Sequence, residues 1–144
     1  MPHQQQPNNA LTVLLLIAIG LLLFGQGGGG NSPIKTPGAL YIEETGERGS
    51  LPDDQQGIFT ANSRDSIKAW YALNFPMTHN TPDVRFIDQD ADMSRDLPMF
   101  AEIKKLWEAD GRPLPWRFVT DGRSFFQGTP TSASDELAKL QSLK

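Results

Sequence analysis

The chain has 144 residues, no cysteine and a formal net charge of −4 at neutral pH, which excludes disulfides, thiolate catalysis and cysteine-ligated zinc or iron–sulfur centres. So mild an acidic balance offers no concentrated basic face, and nucleic acid is not an expected partner. The two histidines, His3 and His79, fall in a polar tail and a turn and provide no paired imidazoles for a metal site.

Residues 1–9 form a polar N-terminal tail, and the first charged side chain is Lys35. Between them lies an uncharged, Leu-rich block, residues 10–25, read as a single transmembrane helix that holds the chain to membrane lipid. Its large apolar side chains favour insertion by roughly 3–6 kcal/mol. As a helix it would be about 24 Å long, short of the ~30 Å hydrocarbon thickness, a mismatch that local thinning can absorb. The competing reading is a cleaved signal peptide that releases a secreted soluble protein. Against it, a basic n-region is missing and Gly25-Gln26-Gly27 is a poor cleavage site. Orientation leans to the extracytoplasmic side, since a short tail before one apolar segment commonly exports the downstream chain, although Lys35 on the C-terminal flank favours the opposite.

Residues 26–38, with the run Gly27–Gly30, are expected to be a flexible linker. The glycines are no phosphate cradle: no Lys-Ser/Thr comes after them and no strand precedes them. Residues 39–144 then form one soluble domain, of ordinary size for a single core.

Within that domain, Ala39-Leu-Tyr-Ile-Glu43 predicts a strand that stops at Thr45-Gly46. Ser50 is placed as the cap of a helix with Pro52 and two acids in its first turn. That helix weakens at Gly57 and Asn62-Ser63, resumes over Arg64–Phe75 with Ile67, Trp70, Tyr71 and Asn74 on one face, and ends at Pro76. A turn over Asn80–Asp83 leads to a second strand, Val84–Asp88. The clearest helix comes next, capped by Asp96, with Pro98 in its first turn, Met99, Phe100, Ile103, Leu106 and Trp107 at helical spacing, and Gly111 as its stop. Asp121-Gly122 joins Trp116–Val119 to Ser124–Gln127 as a hairpin, and Ser132, Ser134 and Asp135 open a last helix carrying Leu137, Leu140 and Leu143. Strands joined through a helix should be parallel and hairpin strands antiparallel, so the expected class is α/β with a mixed four-stranded sheet.

This order, and above all Arg112-Pro-Leu-Pro115-Trp-Arg-Phe-Val-Thr-Asp-Gly-Arg-Ser-Phe-Phe, resembles the thioredoxin-like fold, over about Ala39 to Leu143. The resemblance implies that Pro115 is the family's cis-proline, bordering the partner-binding face. The departure is decisive for chemistry: where redox-active members carry Cys-x-x-Cys, this chain reads Glu44-Thr-Gly-Glu-Arg-Gly-Ser-Leu-Pro52. Dithiol exchange needs a thiolate and a resolving sulfur, so thiol–disulfide oxidoreductase activity is excluded and no catalytic role carries over.

Other constellations are weaker. Asp88-Gln-Asp90-Ala-Asp92 starts like a calcium loop, but Met93 stands where glycine is needed and Met99 where the bidentate Glu belongs. Acids gathered at a strand end and a helix start explain it without a metal. Glu43 and Glu44 with Arg48 read as a buried acid pair or a surface ion pair, with at least one acid solvated. Ser50 has no His–acid partner. Trp116 is the aromatic most suited to anchor a partner, and Phe125 and Phe126 should point to opposite faces. The resulting expectation is a membrane-anchored, redox-inactive thioredoxin-like module without catalytic residues, cofactor or metal. It would bind a protein partner through Arg48, Ser50, Leu114, Pro115 and Trp116, as an accessory subunit of a membrane complex, cellular or in a membrane-containing virion. The alternatives are a metal-assisted hydrolase using Asp88, Asp90 and Asp92, and the secreted soluble protein.

Overall fold

The computed structural model describes residues 31–75 and 83–143. The tail 1–9, the apolar segment 10–25, residues 26–30 of the expected linker, Pro76 as a helix stop, His79 and residues 80–82 of the expected turn lie outside them. Among the described residues no helix is long and apolar enough to cross a membrane.

The central strand is β1 (Gly38–Glu43), buried at all six positions. It lies parallel to β2 (Val84–Asp88), with Leu40 opposite Arg85 and Ile42 opposite Ile87. On its other side it runs antiparallel to β3 (Trp116–Thr120), with Leu40 opposite Phe118 and Ile42 opposite Trp116. The edge strand β4 (Phe125–Gly128) pairs antiparallel with β3, so the order is β2-β1-β3-β4. The expected strand–helix–strand–helix–hairpin–helix sequence and the mixed four-stranded α/β sheet are both present. Parallel pairing of β1 and β2 requires a crossover. It holds a 3-10 helix (Thr45–Ser50), α1 (Asp53–Ile58) and α2 (Ala61–Asn74); α3 (Pro98–Ala109) comes after β2, and α4 (Ala133–Ser142) closes the chain.

Local signals located these elements better than their caps. Ser50 does not cap α1: it ends the 3-10 helix, while Pro52 precedes α1 without a side-chain cap, leaving Asp53 and Asp54 to face the helix dipole. The break before α2 falls at Phe59–Thr60, and the Thr60 hydroxyl accepts the Ser63 N–H, so α2 begins three residues before the expected Arg64. Asp96 does not cap α3 either; Leu97 occupies the cap, Pro98 starts the helix as expected, and Asp96 pairs with Arg85 at 2.8 Å. The two remaining expected caps are present. Gly111, at φ +88°, takes the left-handed turn that ends α3, and the Ser132 hydroxyl accepts the Asp135 N–H at the start of α4. The Leu114–Pro115 peptide is cis.

Alternation along the strands divides the core between the two faces of the sheet. On one face Leu40, Ile42, Trp116, Phe118 and Phe125 pack against Phe100, Ile103 and Trp107 of α3. On the other, Ala39, Tyr41, Val84 and Val119 meet Ile58, Phe59, Ile67, Tyr71 and Leu140, with Phe126 and Leu137 packed alongside. Phe125 and Phe126 thus point to opposite faces, and α4 helps to cover the second. Each large side chain so buried contributes about 1.5–3 kcal/mol of transfer free energy.

The packed domain begins earlier than Ala39. Ser32 and Ile34, expected within the linker, are buried. The Ser32 N–H donates to the Arg123 carbonyl at 2.6 Å, and its hydroxyl accepts from Thr120 at 2.8 Å. This lead-in runs across the hairpin turn so closely that a β-carbon on Gly122 would lie 2.5 Å from the Lys35 carbonyl oxygen.

Candidate functional site

The expected partner-binding residues gather at one end of the sheet, where β1 finishes and β3 starts. Ile42 pairs with Trp116 there, and Glu43 reaches the 3-10 helix. Pointing to the α2 side, Glu43 is 2 % exposed. Arg48 grips it with both guanidinium arms, the Nε donating to Oε2 at 2.7 Å, and Arg64 of α2 adds a third bond at 3.0 Å. Two cations on one buried carboxylate satisfy the condition under which burying a charge is tolerable. Arg64 also stacks over Phe86, 5.2 Å from the ring centroid. Of the two acids read together in the sequence, Glu43 is the buried one and Glu44 is partly exposed. Arg64, twenty-one residues from Glu43, was not foreseen; its only advance signal is a lone cation near the start of a helix that packs on the sheet.

The second half of the expected face is more closed than its sequence suggests. Trp116 is fully buried: its ring stacks toward Phe118 and its indole N–H donates to Asp110 at 2.8 Å. It is a core residue, with no part of its side chain at the surface where a partner would be anchored. Pro115 is buried as well, Leu114 is half-buried, and the Pro113 carbonyl accepts the Trp107 indole N–H at 2.9 Å. The side chains of Glu43 and Leu114 serve opposite faces of the sheet, so only its end is shared. At this end Thr45, Gly46, Glu47, Gly49 and Ser50 are exposed, and Arg48 and Leu114 are partly open to a partner.

Beside it, the acids group differently from the sequence reading. Carboxylate oxygens of Glu44, Asp88 and Asp90 lie within 4.8 Å of one another, whereas Asp92 is occupied by Ser94, whose N–H and hydroxyl both donate to it at 2.9 Å. Asp88 accepts the N–H groups of Asp90 and Thr45, each at 3.0 Å, and Glu44 takes the N–H of Gly46 and the amide of Gln89. These donors explain the acidity: the Asp90 N–H, and after it that of Thr45, holds Asp88 below the usual carboxylate range, and the Ser94 N–H does the same for Asp92. Glu44 and Asp88 are thus capped turn acids at a strand end, with the exposed Asp90 beside them. Backbone amides already meet much of the charge that a cation would neutralise.

A second ionic cluster lies wholly inside and was also missed. Arg117 of β3 and Glu136 of α4, both nearly inaccessible, pair at 3.2 Å, while the Tyr41 hydroxyl donates to Glu136 at 3.1 Å and Arg117 reaches the Gly128 carbonyl. The available signal was Glu136 standing on the same helix stripe as Leu140 and Leu143. Comparison with protein-family models, curated proteins and solved structures finds no match to this chain.

Proposed function

We propose that this chain is a membrane-anchored, redox-inactive thioredoxin-like domain that serves as a protein-binding or structural accessory module of a membrane complex, cellular or in a membrane-containing virion, and not as an enzyme. The observation that carries the reading is the sheet order β2-β1-β3-β4, with one parallel pair and an antiparallel hairpin, in a chain without a single sulfhydryl. The same end of such a sheet that would hold a dithiol here holds Glu43 locked between Arg48 and Arg64, a structural use of charge with no nucleophile beside it. What remains for function is shape and position. The docking end comprises Arg48, Ser50 and Leu114, with Pro115 and Trp116 as its buried support.

The test is extraction of the native chain in mild detergent, with sizing and identification of any protein that stays bound. A defined partner is expected, and it should be lost in Gly49→Glu or Ser50→Arg, both at exposed positions where the fold has room. A chain that elutes alone as a monomer, or a partner indifferent to both substitutions, would sink the reading. The acidic group supports one rival, a metal-assisted hydrolase, now drawn around Glu44, Asp88 and Asp90 rather than Asp92. Calorimetry with Mg²⁺, Ca²⁺ and Mn²⁺ separates the two: binding abolished by Asp90→Ala favours the hydrolase, and flat titrations favour the scaffold. N-terminal sequencing of native material decides between an anchored chain and a secreted one.

A further inference from the structure

The chain enters the domain at the end of the sheet opposite the docking residues. Ser32 is bonded to Arg123, and the lead-in lies against Gly122 of the hairpin turn. The last turn of α2 is at this same end, since the Tyr71 hydroxyl donates to the Gly38 carbonyl at 2.8 Å and to the Thr120 carbonyl at 3.2 Å. In that turn stands Leu73, 86 % exposed, the large apolar side chain left in solvent among the described residues. Two half-buried aromatics flank its helix end, Trp70 and Phe75, with ring centroids 5.7 Å apart. Exposed Lys35 and Arg123 supply positive charge at this end, beside a half-buried Asp121 whose carboxylate is taken up by the N–H groups of Arg123 and Ser124.

The length of the intervening chain decides which surfaces can reach this patch. Only residues 26–31 separate the apolar segment from the first packed residue, Ser32. At no more than 3.3–3.6 Å per residue, the seven steps from residue 25 to Ser32 span at most about 25 Å, whatever their conformation. If the segment is in a bilayer, this end of the sheet is therefore the end tethered near the headgroups. An exposed leucine in a helix turn that also carries a half-buried tryptophan and leads into a half-buried phenylalanine, with cations at the same end of the sheet, matches the composition of side chains that sit at the boundary between headgroups and acyl chains.

Resting on the anchored reading above, we propose that this end of the domain lies on the lipid surface, with Leu73 inserted at the headgroup–acyl boundary and Trp70 and Phe75 behind it. Lys35 and Arg123 meet lipid phosphates. The domain is then oriented rather than freely tethered, and Arg48, Ser50 and Leu114 face away from the membrane toward a partner.

Because the chain has no cysteine, single substitutions provide unique labelling sites. The full chain carrying Leu73→Cys, Ser50→Cys or Ile17→Cys is labelled with an environment-sensitive fluorophore and reconstituted into phosphatidylcholine vesicles containing phosphatidylglycerol and nitroxide lipids, labelled at the headgroup to read positions 73 and 50 and deep in the acyl chain to read position 17. Native circular dichroism of each variant is a condition of the comparison. The expected result is quenching at position 73 several-fold stronger than at position 50, with position 17 quenched as well. Equal quenching at 73 and 50 with position 17 quenched would overturn the surface contact and leave the anchor standing. An unquenched position 17 would overturn both. Spontaneous disulfide pairing of the unlabelled Leu73→Cys chain, with position 73 shielded from lipid, would assign the patch to a second copy and likewise overturn the proposal.

Discussion

Arg117 and Glu136 show how much a single buried charge depends on its partner. Both are nearly inaccessible, so removing one leaves the other without compensation, a loss of about 3–5 kcal/mol in comparable pairs. Glu136→Gln is therefore expected to lower the unfolding free energy by roughly that amount, measured by urea titration, while Arg117→Met combined with Glu136→Leu recovers most of it. Glu43→Gln should cost less than Glu136→Gln, because Arg48 and Arg64 are 34 % and 29 % exposed and water can take up their charge. The only two tyrosines, Tyr41 and Tyr71, give a pH test. Burial pushes both hydroxyls well above their ordinary value, and for Tyr41 the adjoining Glu136 carboxylate adds to the effect. The fold thus holds the neutral phenols, and this contribution to stability is complete below the unfolded value near 10 and is lost as the pH rises above it. Tyrosinate absorbance should be absent near pH 10 in the native protein and appear with unfolding at higher pH. A normal titration of either tyrosine before unfolding would contradict the burial.

At the scale of elements, the hairpin and the lead-in strand depend on each other. Thr120 pairs with Phe125, so the turn holds four residues, and Asp121 closes it by accepting the N–H groups of Arg123 and Ser124. Gly122 carries a left-handed φ of +87° in this turn, and its missing β-carbon admits the Lys35 backbone. Gly111 has almost the same φ, +88°, with open space around it. Gly111→Ala should therefore cost only the backbone penalty, about 1–2 kcal/mol, and Gly122→Ala distinctly more, read as the difference between their urea midpoints. Equal losses would mean that residues 32–37 do not press on the turn. The caps obey the same logic: polar side chains near a helix start could be found in the sequence, but whether Asp96 caps α3 or pairs with Arg85 is settled by β2 passing beside it.

For the whole molecule, both halves of the core are built on the same two inner strands. Leu40 and Ile42 serve the α3 side while Ala39 and Tyr41 serve the side of α1, α2 and α4. Neither layer can melt without exposing the back of the other, so unfolding should be a single cooperative event. Far-UV circular dichroism is expected to report the same urea midpoint as the fluorescence of buried Trp107 and Trp116. Separate midpoints would show that one helical layer folds independently of the sheet.

Strand and helix positions, the Asp121-Gly122 hairpin, the site of Pro115 and the absence of sulfur chemistry are all determined by the sequence itself, because they depend on neighbours within a few residues or on composition. Alternation also foretold that Leu40 and Ile42 would face away from Tyr41 and Glu43. It could not say that the second face is covered, because the covering groups, Arg64 and Glu136, lie 21 and 95 residues from their partners Glu43 and Tyr41. Trp116 was legible as a large aromatic beside Pro115, yet its place in the core comes from α3, which leads into Asp110. The acidic run looked continuous in the chain, but the turn after β2 brings Asp88 and Asp90 to Glu44 and directs Asp92 to Ser94. Only the tertiary structure sets the entry of the chain and the exposed Leu73 at one end and Arg48 and Ser50 at the other, since antiparallel packing of α2 against β1 converts sequence separation into opposite poles.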